Sequence, residues 1–271
     1  MPFLDVEGAR IYYEADGQPS SPPLLLIHAG IANLRMWDPQ VPALAADHFV
    51  IRFDTRGFGQ TETENVAFSN RSDALAVLDH LGVEQATLIG CSRGGSIALD
   101  IAVETPSRVR GVVTIGSGPS GFPDIELTER EDELFDELDD LLEAKDWINL
   151  ARREAALWDF GPDRLAEDLD QEFVATAYEL HEANARHFLE SPTSIPLDPP
   201  AYDRVVDIEV PCLIMVGDHD VSETLAQYEY LVTTIPNADG CRFPDAAHIP
   251  NVEQPAEFER VLLDWLGKHS L

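Results

Sequence analysis

The stretch Ala86-Thr87-Leu88-Ile89-Gly90-Cys91-Ser92-Arg93-Gly94-Gly95-Ser96-Ile97-Ala98-Leu99 decides how this chain is read. It opens as a short apolar strand and closes as an apolar helix, with Gly90-x-Ser92-x-Gly94 between them. A strand that reverses into a helix within so few residues forces Ser92, at the apex, into a strained backbone conformation. Glycine two before and two after the serine removes Cβ atoms that would collide in so tight a turn. The hydroxyl then stands clear at the carboxyl end of a strand, facing the positive end of the following helix. That is how a nucleophilic serine is displayed. Gly-x-Ser-x-Gly alone is a common string, so its weight comes from the strand–turn–helix context and from partners elsewhere in the chain.

Outward from this turn, the same alternation repeats. Leu24-Leu25-Leu26-Ile27 is a continuous apolar run, as a strand buried on both faces requires, and it leads into His28-Ala29-Gly30-Ile31-Ala32-Asn33. Phe49–Phe53 is the next strand and ends in Asp54-Thr55-Arg56-Gly57-Phe58-Gly59-Gln60-Thr61. Phe3–Val6 and Arg10–Glu14 form a hairpin across Glu7-Gly8. Helices are expected within Met36–Ala46, over Asn70–Leu81, and from the serine to about Val103, followed by a buried strand at Val109–Ile115. Strands alternating with helices predict a parallel sheet with right-handed crossovers.

The pattern then changes. From Phe122 to about Tyr202 no strand signal is visible. Glu129–Ala144 is an acidic helix with Leu134, Phe135, Leu138, Leu141 and Leu142 at helical spacing; the acid run reads as its solvated face. Further helices are expected over Trp147–Trp158, Arg164–Phe173 and Val174–Phe188, and the proline-rich Ser191–Pro200 is a linker. Residues 122–202 therefore read as a helical insertion, a lid over the serine, between two core segments, 1–121 and 203–271. The sheet resumes at Cys212–Val216, with Gly217-Asp218-His219-Asp220 at its end. Then come a helix over Ser222–Thr233, a strand at Gly240–Phe243, the loop Pro244-Asp245-Ala246-Ala247-His248, and a closing helix over Pro255–Leu266.

Composition bounds the function. The 271 residues hold 50 acids against 18 bases, a net charge of −32, with Lys145 and Lys268 the only lysines. Such a surface repels nucleic acid and anionic membranes, so neither is an expected partner. The amino terminus carries neither a basic segment nor an apolar signal core, and no apolar run would span a bilayer, so the expected location is the cytoplasm. Cys91, Cys212 and Cys241 lack metal-ligand or disulfide spacing. No metal and no cofactor is expected. A monomer and a homodimer are equally compatible with the sequence.

A serine is a poor nucleophile until a base takes its proton, and that base needs a carboxylate to hold one tautomer. His248, in the loop after the last strand, suits the base. Asp220 and Asp218 compete for the carboxylate. Asp220 is preferred because it lies further into the loop, leaving Asp218 to brace the loop backbone. Two N–H donors must receive the oxyanion. They are assigned to Arg93, directly after the serine, and to Gly30 or Ile31 in the loop after Leu24–Ile27. Trp37, Phe58, Phe122, Trp147, Trp158, Phe173, Tyr178 and Phe188 are candidates for an apolar substrate wall, with core packing the competing role of each. Arg35 and Arg93 are candidates for holding a substrate carboxylate, against ordinary salt bridges to nearby acids.

These residues resemble the α/β-hydrolase-fold serine hydrolases over essentially the whole chain. The resemblance is carried by His28-Ala29-Gly30, Asp54-x-Arg56-Gly57-x-Gly59-x-Thr61, Gly90-x-Ser92-x-Gly94-Gly95, Gly217-x-x-Asp220 and His248. It implies a mostly parallel central sheet flanked by helices, with a helical cap inserted at 122–202, and a triad in the chain order Ser92, Asp220, His248. Met36-Trp37-Asp38-Pro39-Gln40, Phe53–Gly57 and Ala247–Pro255 are similar to the 3-oxoadipate enol-lactonases. Those enzymes carry methionine where this chain has Arg93, and His-Gly where it has His28-Ala29.

The function expected is cleavage of a carboxylic ester or lactone of a small molecule through an acyl-enzyme. Enol-lactone hydrolysis and carbon–carbon bond hydrolysis use the same constellation, and a non-catalytic small-molecule receptor is the alternative from another class. The acidity has two readings: adaptation to a salty cytoplasm, or an acidic protein from a genome that favours Arg over Lys. Adaptation predicts that the Tm rises between low salt and molar KCl as repulsion is screened, and a melting curve without that rise contradicts it.

Overall fold

The computed structural model describes residues 2–271. Eight strands form its main sheet: β1 (Phe3–Val6), β2 (Ala9–Asp16), β3 (Pro23–Ile27), β4 (Phe49–Phe53), β5 (Ala86–Cys91), β6 (Val109–Ile115), β7 (Cys212–Gly217) and β8 (Ala238–Phe243). Their spatial order is β1-β2-β4-β3-β5-β6-β7-β8. The first two pairings, β1 with β2 and β2 with β4, are antiparallel, and the rest of the sheet is parallel. The two-residue strand Glu62–Thr63 adds to β2.

The inner parallel strands are mostly apolar because both faces are covered, whereas the edge strand β8 carries Asp239 and Arg242. In β3, Leu25 and Ile27 point into one cluster, with Leu88 of β5 and Val112 of β6. Leu24 and Leu26 point into the other, with Ile89 and Val113. The first cluster is closed by α2 (Asn70–His80), α3 (Arg93–Glu104) and α7 (Ser222–Thr234), and the second by α1 (Val41–Asp47) and α8 (Pro255–His269). No helix among the described residues is long and apolar enough to cross a membrane.

Between β6 and β7 the chain forms α4 (Glu129–Ala144), α5 (Trp147–Leu157) and α6 (Gln171–Glu182). A capping box between Thr128 and Glu131 opens α4. Glu131 is buried and also accepts from the backbone N and the Oγ of Ser222, both at 2.5 Å, which ties the acidic helix to the start of α7. Asn184 links the same segment to the loops after β3 and β4. Its Nδ2 donates to the Ala32 carbonyl (3.0 Å) and its Oδ1 accepts from the Gly59 backbone N (3.0 Å). Arg164 reaches Glu253, beyond β8, at 2.7 Å. The loops so bridged all follow the carboxyl ends of sheet strands, so 122–202 lies across that end of the sheet.

Three expectations from the sequence need correction here. Arg164–Phe173 is not a helix: it holds one 3-10 turn, Ala166–Asp168. Asp170 then caps α6 by accepting from the backbone N of Glu172 and of Phe173, both at 3.0 Å, which starts that helix at Gln171. Helix α6 stops at Glu182, leaving Ala185–His187 as a separate 3-10 turn. The segment is also not free of strand, since Thr193–Ser194 pairs in parallel with Ala67–Phe68. Two residues are too few to show a period of two.

The turn at Ser92 is packed tightly on backbone. Ser92 has φ 52° and ψ −121°, a conformation that costs of order 1–3 kcal/mol in a non-glycine residue. A Cβ on Gly94 would lie 2.2 Å from the Ile27 carbonyl oxygen, and one on Gly90 would lie 2.2 Å from that of Gly94. Both obstacles are backbone, which cannot rotate away. Gly94→Ala is therefore expected to destabilise the fold by about 1–3 kcal/mol, read as a fall in denaturant midpoint; a wild-type midpoint contradicts this packing.

Candidate active site

Ser92 follows β5, and its backbone N–H donates to the Ile115 carbonyl at the end of β6 (2.7 Å). His248 follows β8 and Asp220 follows β7. His248 Nδ1 lies 2.8 Å from Asp220 Oδ2, while the second carboxylate oxygen accepts from the Val221 backbone N at 2.8 Å. Both side chains are buried. An ionised carboxylate can only accept, so Nδ1 carries a proton and Nε2 is the nitrogen left for chemistry. Ser92 and His248 face one cavity of about 190 Å³, together with Trp158, Gly116 and Gln227. Burial pulls the His248 pKa down, but the charge and hydrogen bond of Asp220, with the charge of Asp159, outweigh it, and the net direction is up.

Trp158 forms one wall of this cavity. Its ring lies 4.9 Å from the His248 ring, and its carbonyl accepts from the His248 backbone N at 3.3 Å. Behind it, Asp159 pairs with His181 at 2.9 Å, and His181 also meets Glu154 at 3.4 Å. Burial lowers the His181 pKa, yet these two carboxylates hold it up at about 9, so it is an imidazolium at neutral pH. This buried pair was not visible in the sequence, where His181 is one histidine on a helix and Asp159 one acid among many.

Arg93 is the first residue of α3, so its backbone N–H has no partner within the helix and is free to meet an oxyanion. Gly30 lies beside it, with the Arg93 side chain 3.7–3.9 Å from where a Gly30 Cβ would sit. The loop holding Gly30 is fixed by His28, whose Nδ1 donates to the Ala29 carbonyl (2.7 Å) while its Nε2 accepts from the Thr55 backbone N (3.0 Å). Burial, then the Arg93 charge, push the His28 pKa down to about 3, keeping it neutral in that tautomer. Asp54 does the same work for the next loop, accepting from the backbone N of Leu34 (2.8 Å) and of Gln60 (2.7 Å). Arg56 grips Asp73 through two hydrogen bonds of 2.7 and 3.0 Å. Thus Asp54 and Arg56 shape the loops around the site.

A second cavity, of about 560 Å³, adjoins the first: Arg93 and Ser96 line both. Phe58 and Phe188 are in its wall. Of the other aromatics considered for substrate contact, Trp158 lines the Ser92 cavity, while Trp37, Phe122 and Trp147 line neither. Trp37 is fully buried in the core, 6.5 Å from the Phe258 ring, because its turn packs beneath the sheet end rather than above it. Phe122 packs on Tyr202 (5.7 Å) and Tyr230 (5.6 Å), where the chain leaves and rejoins the core. Trp147 lies behind Phe188 at 5.0 Å and lines neither cavity itself. Phe173 and Tyr178 pack on Phe160. Arg35 is consumed by Glu14 and Asp38 at the surface. Asp218 pairs with Arg242 (2.6 Å) rather than bracing its loop. Burial raises the Cys91 thiol well above its ordinary pKa, so it is no rival nucleophile. Among the described residues no three His, Cys, Asp or Glu side chains converge as metal ligands.

The chain is 26% identical over 262 residues to 3-oxoadipate enol-lactonase 1 of Acinetobacter baylyi, covering 94% of this chain and 92% of that protein. A shorter match, 42% identical over 108 residues, links 37% of the chain to 38% of the 2-hydroxymuconate semialdehyde hydrolase of Pseudomonas sp. strain CF600. Among solved structures, the enol-lactonase from Burkholderia xenovorans LB400 superposes with a TM-score of 0.72 at 25% identity, over 98% of this chain and all (100%) of that one. With residues 22–255 matching the profile of that family and the sheet strands in this order, the chain belongs to the alpha/beta hydrolase fold family.

Proposed function

We propose that this hydrolase cleaves carboxylic ester or lactone bonds of a small molecule through an acyl-enzyme on Ser92, with residues 122–202 as the cap that closes the site. The observation that carries the reading is the 2.8 Å contact between His248 Nδ1 and Asp220, which leaves His248 Nε2 free in the cavity that Ser92 also lines.

In this mechanism His248 Nε2 takes the Ser92 proton as the hydroxyl attacks the carbonyl carbon. The carbonyl electrons move onto oxygen, and the backbone N–H groups of Arg93 and of Gly30 (or Ile31) receive the oxyanion. Collapse of the tetrahedral species expels the alkoxide, which takes the proton from His248. In a lactone that alcohol stays tethered to the acyl group. A water then gives its proton to His248 and attacks the acyl-enzyme, and Ser92 leaves reprotonated. Asp220 stabilises the imidazolium in both halves. The local likeness to a semialdehyde hydrolase supports a second reading, in which the bond broken is carbon–carbon and the leaving group a stabilised carbanion.

Two outcomes are expected. Ser92→Ala, with its fold retained, lowers kcat on esters by roughly three or more orders of magnitude; near wild-type turnover contradicts the assignment. The base must be neutral, and Asp220 holds the His248 pKa above the usual 6.5, so kcat/KM falls off on the acid side at a pH above that value. Asp220→Asn removes the supporting charge. It moves the acid limb to lower pH and costs on the order of 10³–10⁴ in rate. An unmoved limb means that another group titrates.

A further inference from the structure

Among the described residues, Arg93 is the one cation that lines the two cavities without a carboxylate partner. The other arginines with deeply buried side chains are paired with carboxylates: Arg52 with Glu14, Arg56 with Asp73, Arg71 with Glu104 and Arg164 with Glu253, at 2.7–2.8 Å. Arg93 has no such partner within 4 Å among the described residues. Only its Nη2 hydrogen-bonds, to Thr55 Oγ1, and its Nε is buried without any partner. The ring of Phe58 lies 4.1 Å from the guanidinium carbon and holds the group flat. The fork is thus preformed, and part of its donor set is unused.

We propose that Arg93 receives a carboxylate of the substrate, so that the bond cleaved at Ser92 belongs to an acidic ester or lactone. This deepens the proposed function and rests on it. The position is right: Arg93 is the residue after the serine, and its side chain borders both the Ser92 cavity and the larger one. One substrate can therefore place its carbonyl at Ser92 and its anion at the guanidinium. The acids of the larger cavity have partners of their own: Glu190 meets His187, Glu154 meets His181, and Asp100 is held by Arg71 and Ser120, while Asp73 takes up Arg56. None of these carboxylates lies within 4 Å of Arg93, so its charge is left for a ligand. Planar guanidinium and planar carboxylate also match geometrically. In a chain of net charge −32, a half-buried cation left without a carboxylate partner is the reverse of the general trend. Burial alone brings its pKa down to about 10, and it remains charged at neutral pH.

The test compares 4-nitrophenyl hydrogen glutarate with 4-nitrophenyl hexanoate, which has a neutral tail of similar length. The wild type is expected to favour the acidic ester at least tenfold in kcat/KM. Arg93→Met should cut that preference tenfold or more, mainly through KM, and Arg93→Lys should restore part of it. Glutarate should inhibit competitively where 1,5-pentanediol and inorganic phosphate do not. A wild-type preference for the neutral ester, an unchanged preference in Arg93→Met, or equal inhibition by phosphate overturns the clamp. If Arg93→Met fails to fold, inhibition of the wild type by glutarate against pentanediol decides. If the wild type hydrolyses neither ester, the hydrolase reading fails, and calorimetric binding of glutarate to the wild type and to Arg93→Lys still decides the clamp separately: tight, heat-releasing binding weakened in the lysine variant supports it, and no binding overturns it.

Discussion

The approach of one backbone to another beneath Ser92 is the constraint on which the rest depends. Gly94 lies against the Ile27 carbonyl, and Gly90 against that of Gly94, closer than any side chain would permit. This brings the end of β3 under the first turn of α3. It also sets the loop after β3, with Gly30, beside the N–H of Arg93. The strained serine is held in place by packing on both sides: the sheet hydrogen bond to Ile115 fixes its nitrogen, and the two apolar clusters fix the strands. A looser turn would change both the placing of the Ser92 hydroxyl and the approach of Gly30 to Arg93.

Around this point the molecule separates chemistry from support. His28, Asp54 and Arg56 look like catalytic groups in a sequence, being polar, buried and set among glycines. In the structure His28 and Asp54 bond loop backbone, and Arg56 gives Nε and Nη2 to Asp73, with its Nη1 buried and unpartnered but its charge neutralised. His248 differs because only one of its ring nitrogens is used by the protein. Arg93 differs because no carboxylate among the described residues pairs with its charge. Unspent polar capacity facing a cavity, more than polarity or burial alone, distinguishes the groups available to a substrate.

Most of the sheet was legible in the sequence, and the reason is physical. Strands such as Leu24–Ile27 and Cys212–Val216 are covered on both faces, so their apolar runs are unbroken, and each ends in a loop of polar residues and glycines that the site employs. The Asp220 and His248 positions could be read because they end strands on either side of the same edge. The 122–202 segment was legible only in part. The acidic helix α4 was placed at both ends from its apolar spacing, and the structure adds the Thr128–Glu131 cap at its start. Arg164–Phe173 was misread because helix-forming residues there are overruled by the cap at Asp170. The aromatic wall was the weakest part. Whether Trp37, Phe122 or Trp158 meets a cavity depends on how distant segments pack, and residue type alone is silent on that. The same holds for Asp159 with His181, a pair formed between the turn after α5 and helix α6.

The central claim is that Ser92 is an activated nucleophile. Labelling the folded protein with a fluorophosphonate, followed by peptide mass spectrometry, tests it most directly, because the reagent reports a serine whose proton can be taken and needs no knowledge of the substrate. The account predicts a single adduct on Ser92 that disappears in His248→Ala. An adduct on another residue, or none on folded wild-type protein, would contradict it.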